Sequence, residues 1–521
     1  MALLRVVAGI VAAALVLGVA ELVAVFAGAQ SAPAYALGAT VVDHTPDGVR
    51  EWAIQTFGTS DKAVLFACMG VVAVVVAGLA GLVERTDRAI GSIAFGAFGV
   101  VAAVIGASRA GSPAGALPAL LGTAAGILAL RALTRRIDAA APALGATTVP
   151  ASDDSAVTVS RSGAAGVGRR PILGGIAATG VFAVGAGLAG RLLGGARSNV
   201  SAERATVALP SPATPLPELP PEADLRVPGL TPYLTSNREF YRIDTALIVP
   251  QVSTDSWSLR IHGLVEREVV LSWDDLARRT PVERLVTLAC VSNPINGDLI
   301  GNARWLGYRV DELLAEAGPR PEADMVLSHS TDGWNAGTPL SALTDGRDAL
   351  LAIGMNGEPL PVEHGYPARL VVPGLYGYVS ATKWVTELEV TRFDRATAYW
   401  TRRGWSARGP IKTGTRIDTP RGRGRIPQGR TTIAGVAWAQ HRGITGVEVQ
   451  IDNGDWQPAR LSTEVSIDTW RQWVFEWDAT PGQHTIRARS ADPAGTQTAV
   501  GQDVIPDGAT GYPTLTIQVR D

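Results

Sequence analysis

Long apolar stretches separated by short charged segments dominate the first 197 residues of the chain. Four stretches of about 20 residues contain no charged side chain, which is long enough for a helix to cross the hydrocarbon core of a membrane. They are residues 63–83, 89–108, 110–130 and 171–190. A fifth stretch, 6–29, is interrupted only by Glu21. The pattern predicts an N-terminal α-helical membrane bundle of about five spans over residues 1–197.

The first stretch has a second interpretation. An apolar segment at the extreme N-terminus is also typical of a cleaved signal peptide. Further apolar stretches follow it in this chain, and they favour a first membrane helix. We interpret Glu21 as an interfacial group near one end of that helix rather than as part of a reaction.

Arginine placement orients the predicted bundle, because positively charged loops near span ends stay in the cytoplasm. Arg5, Arg85 and Arg88 lie on one side of a five-span arrangement, together with a group of arginines between the fourth and fifth spans. That group is Arg131, Arg135, Arg136, Arg161, Arg169 and Arg170. We therefore expect a multi-pass protein of the bacterial cytoplasmic membrane, with its C-terminal half extracytoplasmic.

Arg169 and Arg170 also stand directly before Pro171 and a glycine-rich, moderately hydrophobic segment. Paired arginines in this context look like a twin-arginine export signal placed inside the chain. Ordinary positive charge on the cytoplasmic side is the alternative interpretation. A C-terminal domain that must fold around a cofactor before export would favour the signal.

The composition changes after the fifth predicted span. Residues 198–232 are rich in proline, alanine and serine, which predicts an extended linker. Residues 233–415 mix β-branched runs with helical stretches, and this mixture predicts an α+β domain. Short alternating strands separated by turn residues fill 416–521, which is typical of a β-sandwich.

Composition also narrows the classes of function. Only 18% of residues are charged, against about 25% in typical soluble proteins, in agreement with a membrane segment. The formal net charge of -2 gives no overall attraction to nucleic acid, so we expect no such partner. Neither Cys68 nor Cys290 has a CxxC neighbour, which argues against paired-cysteine metal or redox motifs.

Cys290 follows the strand-like run LVTLA and precedes the turn-rich run VSNP. It should therefore lie at a strand end that opens into a loop, where sites are commonly built. A single cysteine in such a place is by default a buried hydrophobic residue. The sequence around it changes that interpretation.

Two ordered segments resemble a known family. The first is residues 287–293 (TLACVSN), followed by 301–307 (GNARWLG). The second is residues 355–361 (MNGEPLP) and 364–374 (HGYPARLVVPG), followed by Lys383 and Trp384. In this order they resemble the sulfite oxidase family of molybdenum enzymes. The resemblance covers roughly residues 235–521 and does not extend to the predicted spans.

The resemblance implies a molybdopterin cofactor whose molybdenum is bound by dithiolene sulfurs, oxo or hydroxo ligands and one protein thiolate. By match, Cys290 is that metal ligand, and a soft sulfur anion suits this metal. His364, Arg369 and Lys383 match positions that hold the pterin and its phosphate. The cofactor-binding positions that follow from the resemblance are Asn237, Tyr241, Arg242, Cys290, Asn293, Thr338, His364, Arg369, Ser380 and Lys383.

Three departures from the family concern the substrate side. Sulfite oxidases commonly have Arg-Asn-His where this chain has Arg242-Ile243-Asp244, and a carboxylate makes the pocket less suited to an anion. Pro294 and Ile295 stand where sulfite-oxidising members carry arginine, and Trp405 takes the place of an active-site tyrosine. We expect Cys290, Arg242 and Trp405 to be the catalytic residues, and the departures count against sulfite as the substrate.

The resemblance implies a molybdopterin-dependent oxidoreductase that acts on a small molecule. The predicted spans and the arginine placement add the expectation of a membrane anchor and an active site outside the cytoplasm. Two alternatives stay open: a sulfoxide or related oxide reductase of the same family, and a cofactor-free surface binding protein. The β-sandwich resembles the immunoglobulin-like domain through which family members often form homodimers. All six histidines lie outside the predicted spans, so we expect no haem within the bilayer. A soluble or membrane electron carrier, such as a cytochrome, is then the expected partner.

Overall fold

The computed structural model describes residues 1–57, 60–145, 169–422 and 424–520. These residues belong to two compact units, Met1–Asn199 and Val200–Asp521. Each unit has hydrophobic clusters of its own. Arg161, one of the predicted cytoplasmic arginines, lies outside the described residues.

The first unit consists of helices joined by short connections, over its described residues. They are α1 (Ala2–Ala27), α2 (Pro33–His44), α3 (Asp47–Phe57), α4 (Asp61–Val83), α5 (Ile90–Ala110), α6 (Leu117–Gly145) and α7 (Arg169–Ser198). Five helices within the described residues are long and apolar enough to cross a membrane: α1, α4, α5, α6 and α7. The five apolar stretches are therefore confirmed as helices. Helices α2 and α3 lie in the connection between α1 and α4.

Small residues let α1 and α4 approach each other closely. A Cβ atom added at Gly81 would lie 2.7 Å from the Cα atom of Gly9 and would overlap the carbonyl oxygen of Arg5. A Cβ atom added at Gly9 would overlap the Ala77 carbonyl oxygen in the same way. Membrane helices associate through van der Waals packing, and such contacts favour small side chains.

The second unit begins with a segment that was predicted to be an extended linker, and this prediction is wrong for residues 200–232. Helix α8 (Ser201–Thr206) lies at its start, and Arg204 donates a hydrogen bond to the Leu360 carbonyl oxygen at 2.7 Å. Leu209 and Leu216 pack against the main hydrophobic core. The apolar side chains between the prolines bury surface, and this holds the segment against the domain.

Strands and short helices alternate in the first part of the second unit, which confirms the α+β prediction. The strands are β1 (Ser258–Gly263), β2 (Val269–Ser272), β3 (Val282–Ala289), β4 (Ile300–Arg309), β5 (Met325–Ser330), β6 (Asn335–Pro339), β7 (Leu350–Met355), β8 (Glu358–Pro359), β9 (Arg369–Val371) and β10 (Val385–Thr391). The helices are α9 (Trp273–Ala277), α10 (Val310–Ala317) and α11 (Leu340–Thr344). One sheet has the order β2-β1-β10-β5-β6, and the other has β3-β4-β7-β8 with β9 paired to β7.

The remaining strands form two further sheets around one core. They are β11 (Gly414–Thr419), β12 (Arg425–Pro427), β13 (Gly429–Trp438), β14 (Gly446–Ile451), β15 (Gln457–Pro458), β16 (Arg460–Leu461), β17 (Arg471–Ala479), β18 (Gly482–Asp492), β19 (Gly495–Thr496) and β20 (Thr514–Arg520). The sheet β11-β13-β17-β16 packs on the sheet β12-β20-β18-β14-β15, with Ile433 and Trp473 on one side of the core and Val449 and Ile486 on the other. This arrangement is a β-sandwich. Its immunoglobulin-like character stays a prediction.

The close contact between α1 and α4 leads to a stability prediction. Gly81→Ala adds a methyl group where no space exists, so we expect the first unit to lose about 1–3 kcal/mol of stability. Thermal unfolding of the full chain in detergent measures this loss as a lower midpoint. Gly70→Ala is the matched control on the same helix, because an added Cβ there meets no described atom within 4 Å. If Gly81→Ala and Gly70→Ala have the same thermal unfolding midpoint, the close contact between α1 and α4 at Gly81 is contradicted.

Candidate active site

Cys290 lies at the end of β3, as predicted. Its backbone N–H donates a hydrogen bond to the Leu299 carbonyl oxygen at 2.9 Å, which closes the loop between β3 and β4. The side chain is buried, and burial raises the pKa of the thiol although hydrogen bonding with Ser292 opposes the rise. A metal cation bound to the sulfur would reverse this shift and keep the thiolate form.

The β-sandwich helps to position the strand that carries Cys290. The Trp470 backbone N–H donates to the Thr287 hydroxyl at 2.8 Å, and the Gln440 side chain donates to the Thr287 carbonyl oxygen at 3.1 Å. The Thr287 hydroxyl donates in turn to the Asn302 side chain at 3.0 Å. Strand β3 is therefore tied to the β-sandwich three residues before the cysteine.

A small cleft beside Cys290 is lined by residues from both the α+β part and the β-sandwich. Asn293 and Tyr376 of the α+β part line this cleft. Lys412 and Trp438, which come later in the chain, line it as well. Asn293 Oδ1 accepts a hydrogen bond from the Leu299 N–H at 3.0 Å, so this predicted site residue also shapes the cysteine loop. The cleft gives the sulfur a polar opening on one side.

Arg369 is buried on β9 and forms the centre of a cationic group. Its guanidinium donates to the carbonyl oxygens of His364 (3.1 Å), Leu370 (3.3 Å) and Ala381 (3.4 Å), and it lies over the Trp305 ring at 5.2 Å. Burial lowers the pKa of Arg369 to about 10. Among the described residues, no carboxylate oxygen lies within 4.0 Å of this guanidinium. A buried cation in this situation favours the binding of an anion.

His364 stands beside Arg369 as a neutral imidazole. Its Nε2 donates a hydrogen bond to the Asn237 carbonyl oxygen at 3.0 Å. Burial, and then the positive charge of Arg369, lowers the pKa of His364 to about 4. Gly365 has a φ of +114°, and an added Cβ there would lie 3.0 Å from the Arg369 Cβ and 3.1 Å from the Lys383 Cβ. A glycine is needed for the chain to turn so close to both cations.

Lys383 and Arg242 share one carboxylate. The Lys383 ammonium lies 2.8 Å from Asp244 Oδ2, and the Arg242 guanidinium lies 2.9 Å from the same oxygen. Burial lowers the pKa of Lys383 to about 8, although Asp244 opposes the shift. The Lys383 side chain is buried, whereas 43% of the Arg242 side chain is exposed. Asp244 thus neutralises part of the positive charge on the predicted substrate side.

Tyr241 links the thiol to the cationic group. Burial, and then the electrostatic influence of Cys290, raises the pKa of the Tyr241 phenol, and Arg369 opposes this rise. The Phe240 ring stacks on the Tyr241 ring with centroids 5.2 Å apart, and it meets the Trp305 ring at 5.7 Å. Tyr241, Phe240 and Trp305 therefore form one aromatic group, and the Arg369 guanidinium lies over its Trp305 ring.

Three other predicted site residues use their polar groups on the backbone of neighbouring loops. Thr338 donates to the Val379 carbonyl oxygen at 2.6 Å, and Ser380 donates to the Tyr376 carbonyl oxygen at 2.9 Å. Asn237 donates to the Met355 carbonyl oxygen at 3.2 Å. These contacts shape the walls of the site.

Trp405 is the predicted site residue that has no contact described with this group. Its ring lies 5.8 Å from that of Tyr378 and 6.2 Å from that of Trp400, by centroids. It is not among the residues that line the cleft at Cys290. A catalytic role for Trp405 stays a prediction.

Sequence reasoning missed Tyr376 and Lys412 as neighbours of Cys290. Tyr376 follows the motif VVPG closely, so its place next to the matching loop was a usable signal. Lys412 comes from the approach to the β-sandwich, where it is held by Asp507 at 2.8 Å. No local pattern marks that lysine, because its position depends on how the β-sandwich packs.

The donor set fits molybdopterin. Arg242, Arg369 and Lys383 carry three positive charges, while Asp244 supplies one negative charge and His364 is neutral. A phosphate would supply the missing negative charge, and guanidinium groups match its geometry. A buried cysteine sulfur at a polar opening suits a thiolate-binding metal.

Comparisons with known proteins bear on the family of this chain. The family described as Oxidoreductase molybdopterin binding domain matches residues 246–400. The oxidoreductase YuiH of Bacillus subtilis is 34% identical over 153 residues, covering 29% of this chain and 74% of that protein. The mitochondrial sulfite oxidase of Homo sapiens is 30% identical over 301 residues, covering 49% of this chain and 55% of that protein. The chain thus spans about half the length of the sulfite oxidases it matches. The sulfane dehydrogenase SoxCD from Paracoccus pantotrophus aligns with 55% of this chain and 82% of that chain, at 24% identity and a TM-score of 0.49.

The low pKa of His364 predicts acid sensitivity of the second unit. The pKa is about 4 in the folded chain against an ordinary value of 6.5, so the unfolded chain binds more protons between these two values. The free energy of unfolding should therefore fall as the pH drops through this window, by up to about 3 kcal/mol. His364→Gln removes the titrating group and should flatten the slope in denaturant unfolding.

His329→Gln on β5 is the matched control and should keep the wild-type slope. The same slope in the wild-type and His364→Gln proteins would show that His364 is not the group responsible.

Proposed function

Because the chain belongs to the sulfite oxidase family of molybdopterin-binding oxidoreductases, we propose that it is a membrane-anchored enzyme with sulfite-oxidase-like chemistry. The reaction is the transfer of an oxygen atom or two electrons on a small molecule. The observation that carries the proposal is the buried thiol of Cys290 beside the buried cationic group around Arg369. An anionic, metal-containing cofactor satisfies both groups at once.

Molybdopterin, when bound, supplies the redox chemistry of the reaction. In this proposal Cys290 binds the metal as a thiolate, and Arg369 and Lys383 hold the phosphate. His364 hydrogen-bonds the cofactor without adding charge, because its imidazole is neutral above a pH of about 4. The walls formed by Tyr241, Asn237, Asn293, Thr338 and Ser380 orient the pterin and exclude water from it.

The substrate side favours a molecule less anionic than sulfite. Asp244 pairs with both Arg242 and Lys383, which lowers the positive charge available to an incoming anion. By the resemblance, Trp405 replaces a tyrosine, and this replacement removes a hydroxyl group. This observation keeps a sulfoxide or related oxide reductase as the second candidate, since a neutral oxide needs less positive charge for binding.

We also propose that the second unit is extracytoplasmic and that the first unit anchors it. The positions of the basic residues in the first unit support this orientation. Arg5 pairs with Asp138 at 2.5 Å, and Arg131 approaches Glu84 at 3.3 Å. Basic residues from separate predicted cytoplasmic segments therefore meet at the same end of the helices, as the positive-inside rule favours.

Metal and pterin content test the proposed cofactor. We expect about one molybdenum and one pterin per chain when the full protein is purified from a host that makes molybdopterin. Loaded protein is then assayed for sulfite oxidation and for sulfoxide reduction, which separates the two candidate reactions. A well-folded sample without either component, next to a control enzyme that loads normally, would favour the cofactor-free binding protein.

Cys290→Ser tests the role of the thiolate. An oxygen ligand is harder than sulfur and changes the metal centre, so we expect turnover to fall to the level of protein without molybdenum while the fold is kept. Cys68→Ser on α4 is the matched control and should keep full turnover. Wild-type turnover in molybdenum-loaded Cys290→Ser protein would rule out this role.

The paired arginines are tested without changing charge. Arg169→Lys combined with Arg170→Lys should block export of the second unit, because a twin-arginine signal requires arginine and the positive-inside rule does not. Protease accessibility of the second unit in spheroplasts measures export. Arg135→Lys with Arg136→Lys is the control in the same predicted cytoplasmic segment. If the second unit is as accessible to protease in both double variants as in the wild type, the export signal is ruled out. Arg169 and Arg170 then act only as positive charge on the cytoplasmic side.

A further inference from the structure

Helix α8 follows closely after α7, one of the helices that are long enough to cross a membrane. Only two residues separate the end of α7 at Ser198 from the start of α8 at Ser201. A helix of six residues is too short to be stable by itself, and no residue of α8 is buried. Glu203 and Arg204 are half-buried, whereas the other four residues are exposed. The two charged side chains therefore face the rest of the second unit.

The Glu203 carboxylate accepts hydrogen bonds from two separate segments of the chain. The Thr254 backbone N–H and hydroxyl donate to Glu203 Oε1 at 2.7 and 2.8 Å. The Tyr366 hydroxyl donates to the same oxygen at 2.7 Å. Burial would raise the pKa of Glu203, but these hydrogen bonds and one from Ser253 lower the pKa overall. Glu203 thus accepts these bonds as an anion, and it fixes the hydroxyl of Tyr366, whose side chain is fully buried.

Arg204 binds a stretch of backbone just before Tyr366 in the sequence. Its guanidinium donates to the Leu360 carbonyl oxygen at 2.7 Å and to the Pro359 carbonyl oxygen at 2.5 Å. The guanidinium also lies 3.3 Å from the Glu358 carboxylate. That carboxylate accepts a further hydrogen bond from the Asn237 side chain. Arg204 is therefore linked through one carboxylate to a predicted cofactor-binding residue.

The contacts of Glu203 and Arg204 converge on His364. Tyr366 follows His364 by two residues, and the Asn237 carbonyl oxygen accepts a hydrogen bond from His364 Nε2 at 3.0 Å. Residues 358–366, which we call the His364 segment, are thus held near both ends by α8. The Arg369 guanidinium donates to the His364 carbonyl oxygen at 3.1 Å. The position of the His364 segment therefore also affects the buried cation of the candidate site.

We propose that Glu203 and Arg204 are positioning residues for the cofactor, and that α8 holds the His364 segment in the geometry that binds it. Neither side chain has to contact the cofactor for this role. The inference rests on the proposed function, because the bound ligand is molybdopterin. Removal of a residue that orients a ligand-binding group commonly lowers affinity by about 10- to 100-fold. The segment that follows α7 is then part of the cofactor site.

A contact that only attaches residues 200–232 to the domain is the competing interpretation. Other contacts already attach this segment. The Ala213 N–H donates to the Pro281 carbonyl oxygen at 3.0 Å, next to β3. The Gln472 side chain on β17 donates to the Asp224 carboxylate at 3.1 Å. Loss of the α8 contacts should therefore leave the rest of the segment in place, and Asp224 provides a matched carboxylate that does not bond to the His364 segment.

Cofactor release is measured first. The full chain is purified with molybdopterin from a host that makes it and is then diluted, and the released pterin is collected by filtration at intervals and measured by fluorescence. We expect Glu203→Ala to raise the release rate about tenfold or more. Glu203→Gln keeps an acceptor oxygen and should restore most of the retention. Asp224→Ala is the matched control and should release the cofactor at the wild-type rate.

Tyr366→Phe tests the same contact from the other side and serves if Glu203→Ala folds poorly. This variant removes only the hydroxyl that donates to Glu203 and keeps the buried ring, so we expect a smaller rise in the release rate. Adding Tyr366→Phe to Glu203→Ala should change the rate little, because both substitutions remove the same hydrogen bond. Fully additive effects would show that Glu203 does not act through Tyr366.

Hydrogen exchange followed by mass spectrometry tests the positioning without the cofactor. In the unloaded full chain, Glu203→Ala and Arg204→Ala should each raise deuterium uptake in the His364 segment, because the segment opens more often when its ends are released. Asp224→Ala should leave this uptake unchanged. Wild-type uptake in both α8 variants would overturn the inference.

The outcomes separate this inference from the proposed function. Absence of molybdenum in the wild-type protein would overturn the proposed function, and hydrogen exchange would then decide by itself whether α8 holds the His364 segment. A second outcome is a lower unfolding midpoint in both Glu203→Ala and Asp224→Ala, with release of the cofactor at the wild-type rate. That outcome would show that α8 only attaches residues 200–232 to the domain.

Discussion

The burial of one guanidinium, that of Arg369, constrains most of the candidate site. Moving a charged group out of water costs several kcal/mol unless dipoles or opposite charges replace the lost hydration. Here the carbonyl oxygens of His364, Leu370 and Ala381 accept hydrogen bonds from the guanidinium and replace part of its hydration. The face of the Trp305 ring also contacts it. The same loops carry the imidazole of His364 and lead to Lys383. The geometry of the candidate cofactor-binding side chains therefore follows from the need to solvate one buried cation with protein dipoles.

The position of Cys290 depends on a second region, the β-sandwich. Trp470 and Gln440 both bond to Thr287, three residues before the cysteine on β3. Lys412 and Trp438 line the cleft beside the sulfur. The β-sandwich is thus part of the site's architecture, whether or not it also mediates association between chains. A substitution in the loops that carry Gln440 and Trp470 would therefore shift β3, and with it Cys290, through these two hydrogen bonds.

The first unit follows different physical rules. Its long helices satisfy their own backbone hydrogen bonds and present apolar side chains outward, as a membrane environment requires. Where α1 and α4 meet, glycines let the two backbones approach closely, because a Cβ atom at Gly9 or Gly81 would overlap the neighbouring helix. Charged side chains such as Arg5 and Asp138 pair near helix ends. This division between an apolar helical unit and a polar, ligand-shaped unit is consistent with separate tasks of anchoring and chemistry.

The sequence by itself determined the five apolar helices, because helix length and the absence of charge are local properties. It also determined the α+β and β-sandwich pattern and the group of Cys290, His364, Arg369 and Lys383, because these residues stand in ordered motifs. Tertiary structure alone decided that residues 200–232 pack against the domain, and that Asp244 pairs with Lys383 across 139 positions of the chain. It likewise decided which residues of the β-sandwich reach the cysteine. Such contacts depend on how distant segments fold together, and no local spacing or composition encodes them.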